Sequence, residues 1–243
     1  MKAKPYNAPA KAFVAAAGIG KRMRPLTATT PKPLIEVNGQ SLIDYGLNAL
    51  AKVGVETAIV NVHYLPDLLE VHLGKRKDPS IVISDERREL LETGGGIKKA
   101  LPQLGLEPFF YLNSDSIWIE GVKPNFQLLA ETWNETKMDC LLLLASTVRA
   151  VGFDGKGDFT IEPNGSLKRR EKSEVAPFVY AGGAIIHPRL FQNAPDGKFS
   201  MNILFDEAIS NGRLYGTQMD GIWLHVGTPK AIDDAERAIA NAT

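Results

Sequence analysis

Cysteine is almost absent from this sequence. A single Cys140 in 243 residues excludes an internal disulfide. Its place in the apolar run Cys140-Leu141-Leu142-Leu143-Leu144 marks it as a small buried hydrophobe rather than a reactive thiol. Long hydrophobic runs are missing too, so no segment reaches the length of about eighteen apolar residues that a membrane-spanning helix needs. The opening MKAKPYNAPAK lacks the apolar stretch of a signal peptide. The expectation is a soluble, cytoplasmic protein with no membrane partner. Charge of one sign is lacking as well: Lys+Arg 28 against Asp+Glu 28 give a net charge of 0. Only Lys168-Arg169-Arg170 gathers like charges, and Glu171 follows it, which argues against a nucleic-acid partner. Repeats, low-complexity tracts and long linkers do not occur, and only residues 1–10 read as a flexible tail.

What is present is an alternation. Ala12-Phe13-Val14-Ala15-Ala16 is an apolar run closed by glycine, and Ser41–Val53 then carries apolar residues at helical spacing up to Gly54. The β-branched run at 57–62, a helix at 65–73, a strand at 81–83, a helix at 95–104 and a strand at 109–112 follow. A helix over 126–132 and a strand over 139–148, apolar enough to be buried on both faces, complete the first part. This order predicts an α/β fold with a mostly parallel sheet flanked by helices. Farther on, Pro163-Asn164-Gly165-Ser166 reads as a hairpin turn between short strands, which adds a small antiparallel patch. Strands at 179–186 and 221–226, a helix at 201–210 and a terminal helix opening at Pro229 close the chain.

The loop after the first strand, Ala15-Ala16-Ala17-Gly18-Ile19-Gly20-Lys21-Arg22-Met23-Arg24, lies where backbone amides close on anionic ligands. It is not a dinucleotide fingerprint, because Met23 stands where the third glycine belongs. Nor is it a Walker loop, because Ala15 and Arg22 replace its glycine and its Ser or Thr. Ala16, Ala17, Gly18 and Gly20 keep the backbone open to a planar base or a ribose, and Lys21, Arg22 and Arg24 place cations beyond them. A nucleoside triphosphate suits this loop. Taken by itself, the segment is equally a tight turn with solvated basic side chains.

The twenty-residue run AAAGIGKRMRPLTATTPKPL, together with Glu92-Thr93-Gly94-Gly95-Gly96, Asn113-Ser114-Asp115, Glu171-Lys172 and Trp223–Thr228, resembles the sugar-phosphate nucleotidyltransferase family. The short chain with its ETGGG run is similar to the subgroup of bacterial N-acetylmuramate-1-phosphate uridylyltransferases. The resemblance implies a doubly wound, Rossmann-like domain over residues 11–243. Residues 11–135 would be its nucleotide-binding half, 136–228 its sugar-binding half and 229–241 its closing helix. The implied partners are a nucleoside triphosphate and a sugar 1-phosphate, in a monomer or homodimer, joined with release of pyrophosphate. UTP and N-acetylmuramate 1-phosphate lead, in cell-wall sugar recycling. Mannose- or heptose-1-phosphate guanylyl transfer is the alternative, and a non-catalytic nucleotide-sugar-binding regulator is the alternative of another class.

Both substrates are anions, so such a reaction is run by positioning and charge neutralisation. By resemblance, Arg22 meets the triphosphate and the departing pyrophosphate, with Lys21 as a weaker candidate, and Lys32, held between Pro31 and Pro33, meets the α-phosphate. Nucleotide binding falls to Ala16, Ala17, Gly18, Gly20, Lys21, Thr93, Gly94 and Gly95, the last glycines offering amides to a base edge from a turn ahead of a helix beginning near Ile97. Sugar binding falls to Asn113, Gly157, Glu171, Lys172 and Gly182, with Ser173 where the family has proline. Asp115 is the expected ligand of Mg²⁺. The second metal carboxylate of the family is replaced by His225, which leaves three readings: a ligand of a softer ion such as Mn²⁺, a donor to phosphate, or a structural histidine.

Overall fold

The computed structural model describes residues 8–242. The first half runs β1 (Lys11–Ala15), β2 (Glu36–Val37), β3 (Gln40–Ser41), α1 (Leu42–Val53), β4 (Thr57–Val62), α2 (Pro66–Leu73), β5 (Ser80–Asp85), α3 (Glu92–Leu104) and β6 (Phe109–Asn113). It continues through β7 (Ser116–Glu120), α4 (Asn125–Thr132), β8 (Cys140–Ser146), β9 (Phe159–Ile161), β10 (Leu167–Arg169) and β11 (Phe178–Ile186). The chain ends with α5 (Met201–Ser210), β12 (Leu214–Gln218), β13 (Gly221–His225) and α6 (Pro229–Ala242). No helix among the described residues is long and apolar enough to cross a membrane.

Strands β5, β4, β1 and β6 lie side by side and parallel. The sheet then reverses: β11 is antiparallel to β6 and to β8, and β12 returns parallel to β8. The hairpin β9–β10 joins the same sheet through Phe178 opposite Phe159. The antiparallel part is thus continuous with the parallel core, and the whole sheet has nine strands. A second, two-stranded ribbon pairs β7 with β13; β13 matches the strand expected at 221–226, while β7 was not expected from the sequence pattern.

Alternation of side chains along each strand sorts the core into two layers. Ala12, Val14, Leu141 and Leu143 pack with α1, α2 and α4, while Phe13, Cys140, Leu142 and Leu144 pack with α3 and α5. A third cluster joins Met23, Leu42, Ile117, Leu224 and Ala235, and so ties the glycine loop to the ribbon and to α6. Of the expected tail, residues 1–7 fall outside the described residues. Residues 8–10 are held rather than free, because the Ala10 carbonyl accepts the amides of Glu56 and Thr57 and Ala8 packs on the core.

The ribbon is fastened to the body by one buried amide. Asn125 is fully buried; its Nδ2 donates to Glu120 Oε2 (2.6 Å) and to the Asp220 carbonyl (2.9 Å), and its Oδ1 accepts the Asp220 amide (2.9 Å). Burial pushes the Glu120 carboxyl up, against the donors Trp118 and Asn125. Asn125→Ala removes the acceptor of the Asp220 amide and one donor each from Glu120 Oε2 and the Asp220 carbonyl, which keep the backbone amides of residue 125 and Gly121. It is expected to cost about 2–3 kcal/mol of stability, read as a shift in the urea midpoint with an unchanged slope.

Candidate active site

Strands β1 and β6 end together, with Ala15 opposite Asn113. The segments leaving them therefore open side by side at the carboxyl edge of the sheet, where α/β folds bind ligands. Between them lies a cleft of about 540 Å³ lined by Ala16, Ala17, Gly18, Gly20, Lys21 and Arg22 on one side and by Thr93, Asn113, Ser114 and Asp115 on the other, with Lys32 between.

The glycine loop is fixed from beneath. Asn61 Oδ1 accepts the amides of Ala16 (2.7 Å) and Ala17 (3.3 Å), Asn61 Nδ2 donates to Glu86 Oε1 (2.8 Å), and Glu86 Oε2 accepts the Leu91 amide (3.1 Å). Both side chains are buried. The first two loop amides are thereby committed to the protein, so Ala16 and Ala17 wall the cleft with their methyl groups and leave the amide-donor role to residues beyond. Gly20, at φ 66°, starts the short turn Lys21–Met23, and a side chain there would press on Lys32 and Thr27. Met23, in place of the third glycine of a dinucleotide loop, is a fully buried anchor in the third cluster.

The charges converge from four segments. Lys32 Nζ lies 2.5 Å from Asp115 Oδ2, with the lysine side chain only 11% exposed and the carboxylate 34%. The prolines at 31 and 33 frame a short helical turn that places Lys32. Arg22 and Lys21 are exposed and line the cleft, and the Arg22 guanidinium makes no hydrogen bond among the described residues. His225 ends β13 opposite Ser116, the residue after Asp115. Burial pushes its imidazole below the usual histidine value; Asp115 opposes that shift, and Lys32 and Arg22 reinforce it. Its ring packs against Trp223 and Phe153.

A divalent cation fits this donor set. No group of three or more metal-ligating side chains occurs among the described residues. Asp115 nevertheless keeps Oδ1 beyond its bond to Lys32, and the His225 ring, which faces the cleft-lining Gly227, lies within range of its charge. A hard ion held by one carboxylate is completed by phosphate oxygens and water, while a borderline ion also takes the imidazole.

Other expected site residues lie elsewhere. Thr93, Gly94 and Gly95 are inside α3, which begins at Glu92 rather than near Ile97. The amides of Gly94 and Gly95 donate to the Phe199 carbonyl (2.9 and 3.2 Å). A Cβ at Gly94 would strike the Phe199 ring, and one at Gly95 the Gly197 carbonyl. These glycines serve close packing on 197–199 and present no amide to a base. Thr93 does line the cleft, and its hydroxyl accepts the Met201 amide (3.0 Å). Glu171 and Lys172 are exposed and do not line it; their carbonyls, with that of Glu174, are gathered on Arg170 Nη1. Gly157, at φ 76°, holds the same loop, its carbonyl accepting from Arg170 Nε (2.9 Å). Gly182, at φ 80° in a bulge of β11, makes room for Ser116 and Asn113, which a side chain there would strike. Sequence reading passed over Asn61, Glu86 and Ser200. Asn61 alone carried a signal, as an uncharged polar residue inside the apolar run of β4.

The nucleotidyl transferase family model matches residues 11–151. Over 240 residues the chain is 46% identical to an N-acetylmuramate alpha-1-phosphate uridylyltransferase of Caulobacter vibrioides, covering 97% of this chain and 99% of that one. It is 34% identical over 236 residues to the protein of the same name from Neisseria meningitidis serogroup B, covering 96% and 99%. A mannose-1-phosphate guanylyltransferase catalytic subunit beta of Dictyostelium discoideum is 30% identical, and the match spans 62% of its length. Among solved structures, a UDP-glucose pyrophosphorylase complexed with UDP-glucose superposes with a TM-score of 0.78 at 15% identity, covering 96% of this chain and 99% of that one. The fold, the paired strand ends and these matches agree, and the chain belongs to the nucleotidyl transferase family.

Proposed function

We propose that the protein transfers UMP from UTP to N-acetylmuramate 1-phosphate, giving UDP-N-acetylmuramate and pyrophosphate. The geometric support is the Lys32–Asp115 pair facing unpaired Arg22 across one cleft, an arrangement suited to two anionic substrates. The choice of base and sugar rests on the 46% identity to the Caulobacter enzyme along the full length of both chains.

In this reading a phosphate oxygen of the sugar 1-phosphate attacks the α-phosphorus of UTP. One P–O bond forms as the bond to the β-phosphate breaks, and pyrophosphate leaves with the electron pair. Lys32 screens the repulsion between the attacking phosphate and the α-phosphate, and its charge acts there through a lower dielectric than water. Arg22 follows the negative charge that builds on the departing pyrophosphate; its planar fork of donors is suited to phosphate oxygens. Gly18 and Gly20 let the triphosphate approach the backbone. Asp115 and the His225 ring would be the protein ligands for a divalent cation, Mg²⁺ or Mn²⁺. When bound, that ion neutralises phosphate charge and orients the triphosphate. Asn113 takes the sugar from the far side of the cleft.

Pyrophosphate release from UTP, GTP, CTP, dTTP and ATP against N-acetylmuramate, N-acetylglucosamine, glucose, mannose and heptose 1-phosphates tests the reading. Turnover is expected with UTP and N-acetylmuramate 1-phosphate; preference for GTP with mannose 1-phosphate overturns it. Arg22→Ala should lower kcat by about 10²- to 10³-fold with little change in the KM for sugar 1-phosphate. An unchanged kcat removes Arg22 from the leaving-group side. Asp115→Asn, nearly isosteric, should lower metal-dependent turnover by a similar factor while circular dichroism stays near wild type and Tm falls, because the nearly buried Lys32 loses its counter-charge. Near-normal rates at saturating Mg²⁺ would exclude Asp115 as a ligand.

His225 gives a pH-dependent test. Its lowered pKa keeps the ring neutral, and able to ligate, as pH falls through the usual histidine value near 6.5. The half-saturating Mn²⁺ concentration should therefore stay flat across that value and rise only at lower pH, with His225→Asp removing the dependence and favouring Mg²⁺. A purely structural histidine would instead leave the half-saturating Mn²⁺ concentration of His225→Ala unchanged.

A further inference from the structure

A side cavity of about 210 Å³ opens off the cleft between β6, β11 and the start of α5. It shares Thr93, Asn113 and Ser200 with the cleft, and its inner walls are Tyr111, Phe205, Ile186 and Met201 among others. No charged side chain lines it. A carboxylate entering it would lose its hydration without a cation to replace it, whereas a small neutral group with an apolar end and one acceptor would be satisfied there.

The Tyr180 hydroxyl, buried and without a partner among the described residues, also lines the cavity, and a second donor, nearer the cleft, is set by a contact within β6. Residues two apart on a strand share a face, and the Tyr111 hydroxyl, fully buried, donates to Asn113 Oδ1 at 2.5 Å. It is the only hydrogen bond that the Tyr111 hydroxyl makes among the described residues, so the amide turns its oxygen to the phenol. Asn113 Nδ2 is left with no acceptor among the described residues, at the junction of the cleft and the side cavity. Burial and the Asp115 carboxylate push the Tyr111 phenol well up, so it remains a donor across the working pH range. The closeness of β11 that shapes this corner comes from Gly182, where a side chain would come within 3.0 Å of Asn113 Nδ2.

We infer that the side cavity is the subsite for the acetamido substituent of the sugar, its carbonyl oxygen accepting from Asn113 Nδ2 and its methyl lying against Phe205, Ile186 and Met201, with Tyr111 as the positioning residue that presents the amide. The inference rests on the proposed use of an N-acetylated sugar 1-phosphate and adds to it a reason for preferring 2-acetamido over 2-hydroxy sugars. It also sends any acidic substituent of the sugar away from this cavity, toward the open cleft.

Tyr111→Phe removes the hydroxyl and keeps the ring. The KM for N-acetylmuramate 1-phosphate and the inhibition constant of N-acetylglucosamine 1-phosphate are expected to rise about 3- to 10-fold, the value of one neutral hydrogen bond. The inhibition constant of glucose 1-phosphate, the KM for UTP and kcat should stay within about twofold. Asn113→Ala should give the same split between acetamido and hydroxy sugars, and serves if the phenylalanine variant does not fold. A uniform change across the three sugars, or none, with wild type active on N-acetylmuramate 1-phosphate, overturns the subsite and leaves the proposed reaction standing. A wild type that turns over glucose 1-phosphate but neither acetamido sugar overturns the proposed substrate and the subsite together.

Discussion

The parallel pairing of β1 with β6 governs the site, because it fixes where two loops of opposite charge leave the sheet. Ala15 and Asn113 are register partners. The basic loop of residues 18–24 and the acidic turn at Asp115 therefore emerge side by side, though some ninety residues of chain separate them. Every other feature of the cleft refines that meeting. Asn61, on the next strand β4, holds the loop down through the Ala16 and Ala17 amides. Glu86, just after β5, holds Asn61 and the Leu91 amide. A chain of buried hydrogen bonds thus crosses the strand ends perpendicular to the strands. Removing a member would leave a buried polar group unpaired, which is costly in a low dielectric.

The charge balance of the cleft follows from the same geometry. Lys32 is held nearly buried, and a buried ammonium needs a partner; Asp115 supplies it at 2.5 Å. Two carboxylates, Asp115 and Glu92, line the cleft with Arg22, Lys21 and Lys32, and Glu92 is paired with Lys198, so the cleft is left with a positive excess, the field that two phosphorylated substrates require. His225 belongs to this balance. A further carboxylate at its position would cancel part of the positive field, whereas a half-buried, neutral imidazole offers a lone pair without adding charge.

Much of this was legible in the sequence because it depends on short-range pattern. The alternation of runs announced a parallel core, the loop after β1 and Asn113-Ser114-Asp115 after β6 marked strand ends, and the two prolines marked Lys32 as held. What stayed hidden depends on partners distant in the chain. The glycines at 94 and 95 look like a flexible turn locally, but their amides and missing side chains answer to residues 197–199. Glu171 and Lys172 are marked locally only by their charge; the placement of their loop outside the cleft lining depends on Arg170, which gathers its carbonyls. Composition shows that a helix opens poorly on three glycines; only the packed segment against it explains why it opens there.

The ribbon of β7 and β13 shows how the end of the chain enters the chemistry. It carries Asp115 just ahead of one strand and His225 at the end of the other, so the spacing of these two groups is set by antiparallel register rather than by either loop. Its outer end is locked by Asn125. Its inner face joins Leu224 to Met23 and Ala235, and so to the glycine loop and α6. A rigid strand pair places side chains more reproducibly than a loop does. Anchoring the loop's Met23 in the same cluster means that Arg22, one residue earlier, is referenced to the frame that carries Asp115 and His225. A change in the packing of α6 would thus move the cation and its two proposed metal partners together rather than apart.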